Sequence, residues 1–145
     1  MSEFWEIEEE NVDSARFFRT LPKYFPEATI FYAEGTTISD GVRKCYETHR
    51  EEGKYLPPRQ TFLPVLKKFL CKFSTSFMNQ LAGLAQHHAE RELLDHMLLY
   101  KGVEEVVFWH DAFANVLLVS RSVPENVVSQ FAGELGLEFH SGQSG

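Results

Sequence analysis

The sequence predicts an α/β fold of α+β character: a single mixed β-sheet of about five strands, with an antiparallel hairpin near its centre and helices covering both faces. Three observations support it. The 145 residues are 43% hydrophobic and 14% aromatic, enough to build one core, so residues 1–145 are predicted to form a single globular domain. Helical and extended patterns alternate along the chain. Two neighbouring extended segments are apolar on both faces, as strands covered on both sides are.

The first half of the chain predicts two helices that alternate with strands. Residues 1–12 contain a short apolar segment among acids and are interpreted as an edge strand or a docked acidic tail. Asp13 then caps a helix that Pro22 ends or kinks. A β-branched and aromatic strand at residues 29–33 precedes a second helix, which begins after Ser39.

The middle of the chain predicts a loop, a strand and a long helical stretch. Residues 53–64 contain three prolines and are typical of a loop, and residues 68–73 alternate as a strand does. A helical pattern then runs from about residue 75 to about residue 100, but its apolar stripe changes side along the way. The pattern allows one helix or two, and we favour a break between Gln86 and Glu90.

The last third predicts the central hairpin. Residues 105–110 and 116–120 are strands joined by a short turn. We expect Val107, Trp109, Leu117 and Val119 to line one core layer, and Val106, Phe108, Val116 and Leu118 to line the other. A final helix after Pro124 leads to a strand at residues 137–140, and residues 141–145 are expected to be a frayed tail.

Charge and targeting signals narrow the function classes. The net charge of −7 disfavours nucleic acid and anionic membrane surfaces as partners, because both need clustered cations. No signal peptide or membrane span is evident. Cys45 and Cys71 lie in apolar patterns without metal-ligand spacing, which predicts reduced structural thiols. The sequence therefore predicts a cytoplasmic protein.

The densest group of titratable residues follows the first part of the long helical stretch. His88, Glu92 and His96 are spaced at i, i+4 and i+8, so on a continuous helix they share a face but extend over about 12 Å of rise. Three ligands so far apart cannot bind one ion; an adjacent pair could, with His110 and Asp111 of the hairpin as the plausible further donors. If the helix breaks near residue 88, His96 approaches His110 and Glu92 completes a three-ligand site. His88, Glu92, His96 and His110 are thus the catalytic candidates, and Glu92, His96 and His110 are the alternative metal ligands.

Four residues are the candidates for binding a partner. Phe113, at the tip of the hairpin, is either an exposed anchor or folded back onto the core. Asp111 is expected to cap the turn, and to point away from His110 because neighbouring strand residues face opposite sides. Tyr55 and Arg59 belong to the proline-rich loop, which either covers the core or docks a protein.

These patterns favour a small acidic binding protein without catalysis. Its expected role is that of a protein-interaction module of the inhibitor or immunity type, with a protein partner, no cofactor and no metal. The alternative is a metal-dependent or acid–base enzyme that uses the histidine–carboxylate group. The two hypotheses differ in one observable respect: whether those side chains converge within one coordination sphere.

Overall fold

The computed structural model describes residues 4–8, 11–52 and 67–141. Its helices are α1 (Ser14–Tyr24), α2 (Asp40–Thr48), α3 (Thr75–Ala85) and α4 (Glu125–Glu134), with a 3₁₀ turn at Glu90–Glu92. Its strands are β1 (Phe4–Ile7), β2 (Ile30–Gly35), β3 (Lys67–Lys72), β4 (His96–Lys101), β5 (Glu104–Trp109), β6 (Leu117–Ser120) and β7 (Phe139–Ser141). No helix of this described part is long and apolar enough to cross a membrane.

The described strands form one seven-stranded sheet in the order β3-β2-β4-β5-β6-β1-β7. Every neighbouring pair in it is antiparallel. The predicted mixed sheet of about five strands is therefore wrong in strand number and in direction. The central hairpin is confirmed, because β5 occupies the fourth of the seven positions and pairs with β6. β1 lies between β6 and β7, so it is an inner strand and not an edge strand.

Local signals set the ends of the helices as the sequence predicts. The Asp13 carboxylate accepts hydrogen bonds from the first turn of α1, and the hydroxyl groups of Ser39 and Ser74 cap α2 and α3. Pro22 does not end α1, which continues to Tyr24. α3 ends at Ala85, which confirms the break in the long helical stretch. The second half of that stretch is not helical, however: residues 96–101 form strand β4.

The helices cover one face of the sheet, which we call the helical face. The side chains on this face that point toward the helices include those of Phe31, Leu99, Val107 and Val119. Buried residues of all four helices share a single core with these side chains. On the second face, Ile30, Tyr32, Leu98 and Tyr100 form a separate cluster to which none of the described helices contributes. The prediction of helices on both faces is thus wrong for the described helices. An antiparallel sheet needs no crossover helices, so nothing in its topology requires a helix on each face.

Burial in the central hairpin follows the two predicted layers unequally. Val107, Trp109, Leu117 and Val119 are buried against the helical core. In the other predicted layer, Phe108, Val116 and Leu118 are only half-buried. Val106 was predicted to share their layer, and that is wrong: it is buried in the helical core, because the register of β4 and β5 shifts beside it and breaks the alternation. The first layer is confirmed, and the second is less well covered than expected.

Candidate metal centre

The pairing of β4 with β5 brings two histidines together. Met97 lies opposite Trp109 in this pair. The next residues outward, His96 and His110, therefore lie opposite each other at the open end of the β4–β5 hairpin. Their imidazole rings stack with centroids 4.3 Å apart and an interplanar angle of 1°. The side chain of His96 is 15% exposed and that of His110 is 57% exposed. One ring is therefore held by the fold, while the other borders solvent.

Asp111 brings a carboxylate to the same place. Its two oxygens lie 3.9 Å from Nδ1 of His96 and 3.5 Å from Nε2 of His110. The sequence interpretation placed the side chains of His110 and Asp111 on opposite faces, and that is wrong. Asp111 has a φ of +52°, so the chain leaves the extended conformation there and strand alternation ends. Asp tolerates this left-handed region better than most residues.

A main-chain hydrogen bond orients His96 within the cluster. The N–H of Asp111 donates to Nδ1 of His96 at 2.9 Å. A nitrogen that accepts a hydrogen bond carries no proton, so in this arrangement the ring is the neutral tautomer with its proton on Nε2. The hydrogen bond thus connects the backbone of the turn to the His96 ring.

The turn that carries Asp111 is fixed on its other side as well. The N–H of Ala112 donates to the carbonyl oxygen of Asp95 at 2.8 Å, and the indole N–H of Trp109 donates to the carbonyl oxygen of Asn115 at 2.7 Å. Phe113 has a φ of +69° and is 6% exposed. Its ring packs 4.7 Å from that of Trp109. Phe113 is therefore folded back onto the core, the second of the two sequence-based alternatives.

Two imidazoles and a carboxylate are a common ligand set for a divalent transition metal. One ligand atom from each of His96, His110 and Asp111 lies within 4.8 Å of the other two. Bonds of about 2.0–2.2 Å in a tetrahedral site would bring such atoms to roughly 3.4 Å from one another. At its widest the cluster therefore exceeds a loaded site by up to about 1.4 Å.

A cleft of about 520 Å³ opens beside the cluster, and Asp111 contributes to its wall. The other wall residues come from the 3₁₀ turn, from the residues just before β4 and from the turn between β5 and β6; they include Arg91, Asp95 and Asn115. The carboxylate of Asp95 is already engaged, because it accepts hydrogen bonds from the N–H and the hydroxyl of Thr36. Of the three cluster residues, Asp111 lines this cleft, whereas His96 and His110 do not.

The other sequence candidates lie outside this cluster. Nδ1 of His88 lies 2.8 Å from the carbonyl oxygen of Leu84, and the Glu92 carboxylate accepts a hydrogen bond from the N–H of Ala89 at 2.8 Å. Both side chains thus serve the chain reversal between α3 and β4. Tyr55 and Arg59 lie outside the described residues.

The two cysteines are free and buried. Burial raises the pKa of the Cys45 thiol to about 11 and that of the Cys71 thiol to about 12. The nearby His49 directs Nδ1 to the carbonyl oxygen of Cys45. This arrangement does not favour a thiolate, which needs an electropositive and partly exposed setting.

Comparison with protein-family models, with curated proteins and with solved structures finds no significant match to this chain.

Proposed function

We propose that the protein binds a divalent transition-metal ion through His96, His110 and Asp111. The observation that carries the proposal is the convergence of three ligand atoms to within 4.8 Å. Of the four residues whose convergence would separate a metal-dependent protein from an interaction module, only His96 and His110 belong to this cluster. Asp111 joins them in place of Glu92.

Metal binding would require two local changes. Parallel imidazole planes cannot aim their lone pairs at one point, so the ring of His110 must rotate, which its exposure permits. If Nδ1 of His96 is the coordinating atom, the N–H of Asp111 must give up its hydrogen bond. Such a bond contributes about 1 kcal/mol net, far less than a structural zinc site supplies, which is roughly 10–16 kcal/mol in apparent free energy.

The ligand types favour Zn²⁺ or a similar borderline ion over Mg²⁺ or Ca²⁺, which prefer sites made only of oxygen ligands. Three protein ligands leave a coordination position open for water or substrate, as in catalytic zinc sites. A bound water would then have a lowered pKa and could act as a nucleophile near neutral pH. The cleft beside Asp111 is where a substrate would approach.

Isothermal titration of the metal-free protein with Zn²⁺ tests the proposal. We expect one ion per chain, because the three ligand atoms converge on a single site. His96→Ala and His110→Ala should each weaken binding by more than roughly 100-fold, since even outer-sphere partners contribute 10- to 100-fold. Asp111→Asn keeps a residue type that tolerates the left-handed turn, so it tests the carboxylate charge alone.

His87→Ala is the matched control, because His87 is exposed and lies at the end of α3, outside the cluster. It should leave the Zn²⁺ affinity unchanged. A wild-type protein that takes up no stoichiometric Zn²⁺, or a control that loses as much affinity as His96→Ala, would contradict the proposal.

The protein-interaction module of the inhibitor or immunity type stays a prediction of the sequence. Among the described residues, Val103 is the one large hydrophobic side chain that is fully exposed, at 83%, and Phe108, Val116 and Leu118 on the second face are half-buried. The observation that favours the metal centre over this module is the convergence of His96, His110 and Asp111.

A further inference from the structure

A second cavity lies at the other end of the β4–β5 hairpin, where the chain turns through Gly102. Its volume is about 310 Å³, at the lower end of the range of ligand pockets. It is bounded by the end of α1, the hairpin turn and the start of α4. His96 and Lys101 mark the two ends of β4, so the cavity lies about 17 Å along the strand from the candidate metal centre.

The floor of the cavity is apolar. Phe25, Val106 and Val123 are buried residues that line it, and the half-buried Val127 adds to the same surface. Apolar surface that borders an open cavity is not fully used by the fold, so an apolar group that entered would gain the free energy of leaving water.

The rim of the cavity carries two carboxylates and one ammonium. Nζ of Lys101 lies 3.3 Å from the carboxylate of Glu27, so this cation already has its counter-charge. Glu104 accepts a hydrogen bond from the hydroxyl of Ser122 through Oε2 at 2.5 Å, which orients its carboxylate. Within the described part of the chain, Oε1 of Glu104 has no hydrogen-bond or ion-pair partner. Lys101 also lies opposite Glu104 in the β4–β5 register, so one ammonium faces two carboxylates and the net charge of the rim is negative.

We propose that this cavity binds a small amphipathic amine, with its apolar body on the valine–phenylalanine floor and its ammonium group at Glu104. The chemistry follows from charge complementarity, since the oriented carboxylate is an acceptor that a cation satisfies best. An anionic ligand of the same shape would face two carboxylates and a lysine that is already paired. This site is separate from the metal centre, so its test does not depend on metal binding.

Three probes of similar size and different charge test the proposal: 2-phenylethylamine, 2-phenylethanol and 3-phenylpropanoate. Each is titrated into the ¹⁵N-labelled full chain while amide chemical shifts are followed. We expect saturable shifts at Val106, Val123 and Val127 with the amine, which should bind about tenfold more tightly than the alcohol, as one charge-assisted hydrogen bond predicts. The carboxylate should bind most weakly.

Two variants and a control locate the interaction. Glu104→Gln keeps the shape of the side chain and should reduce the amine affinity to that of the alcohol. Ala28→Leu extends an apolar side chain into the cavity, since Ala28 lines it, and should weaken the amine and the alcohol alike. Glu125→Gln is the control, because Glu125 is exposed in the first turn of α4 and is not among the lining residues; it should change nothing.

Several outcomes would overturn the proposal: no saturable shift up to about 10 mM amine; equal affinity for the amine and the carboxylate; unchanged amine binding in Glu104→Gln; or shifts centred outside the cavity. The unchanged amide spectrum of each variant without ligand shows that it is folded.

Discussion

Truncation of Phe113 tests whether the aromatic core holds the turn that carries Asp111. The ring is buried and packs 4.7 Å from Trp109, 6.0 Å from Phe17 and 6.2 Å from Phe18. Phe113→Ala should lower the free energy of unfolding by about 3–5 kcal/mol, the usual cost of removing a buried phenylalanine. If Phe113 were instead the exposed anchor that the sequence also allows, the free energy of unfolding would change by no more than about 0.5 kcal/mol, as at an ordinary surface site.

The backbone of Phe113 allows a sharper comparison. Its φ of +69° costs an L-residue about 1–2 kcal/mol, whereas glycine adopts it freely at the expense of about 0.5–1 kcal/mol of chain entropy. Phe113→Gly should therefore be less destabilising than Phe113→Ala by about 1 kcal/mol.

Urea denaturation followed by tryptophan fluorescence measures both differences, and Ala114→Gly, at an exposed site of the same turn, controls for added flexibility. The reasoning fails if Phe113→Ala costs less than about 1 kcal/mol, or if Phe113→Gly is the less stable of the two. The first result would mean that Phe113 is not in the core, and the second that its left-handed backbone is not populated.

Two further predictions use buried thiols and a pair of glycines. Burial raises the folded-state pKa values of Cys45 and Cys71, so a thiol reagent should label neither cysteine at pH 8 until the protein unfolds. The stability that the protonated thiols support is complete below a pH of about 8.5, the ordinary thiol pKa, and it declines as the pH rises toward 11 and 12. Urea titrations of the wild type and of Cys45→Ala across this pH range measure the decline. Gly136 has a φ of +74° after α4, whereas Gly133 lies inside the helix with open space around it. Gly136→Ala should lower stability by about 1 kcal/mol and Gly133→Ala should raise it by about 0.5–1 kcal/mol, and equal effects in thermal unfolding would contradict this account.

The parts of the fold that the sequence predicts well are those in which local chemistry and burial agree. Asp13, Ser39 and Ser74 cap helices because their side chains satisfy free N–H groups wherever a helix begins. The doubly apolar strands β5 and β6 lie near the middle of the sheet, and their side chains on the helical face are buried as predicted. These signals depend on a few neighbouring residues, so they can be interpreted without the tertiary structure.

Strand β4 shows where such interpretation fails. Its sequence, His96 to Lys101, is a short apolar run, and a run of this length fits a buried helix turn as well as a central strand. Met97 and Leu99 enter the helical core, while Leu98 and Tyr100 enter the cluster on the second face. Only pairing with β2 and β5 makes both directions buried at once, and that pairing is a long-range event. Because the sequence pattern does not identify β4 as a strand, the predicted number of helices and the predicted directions of the strands beside β4 are wrong as well.

Part of the candidate metal centre could be predicted from the sequence, and the rest depends on long-range strand pairing, as β4 does. A break after α3 allows His96 to approach His110, and the break occurs. The meeting itself depends on register: a shift of one residue in the β4–β5 pair would send one imidazole to the helical face. The sequence offers Asp111 as a possible further donor, but strand alternation directs it away from His110 and favours a turn cap; a single left-handed residue reverses that rule. A His-Asp pair at the end of a strand, followed by a short turn, is thus a signal to test both side chains as partners, since the turn and not the strand decides where the carboxylate points.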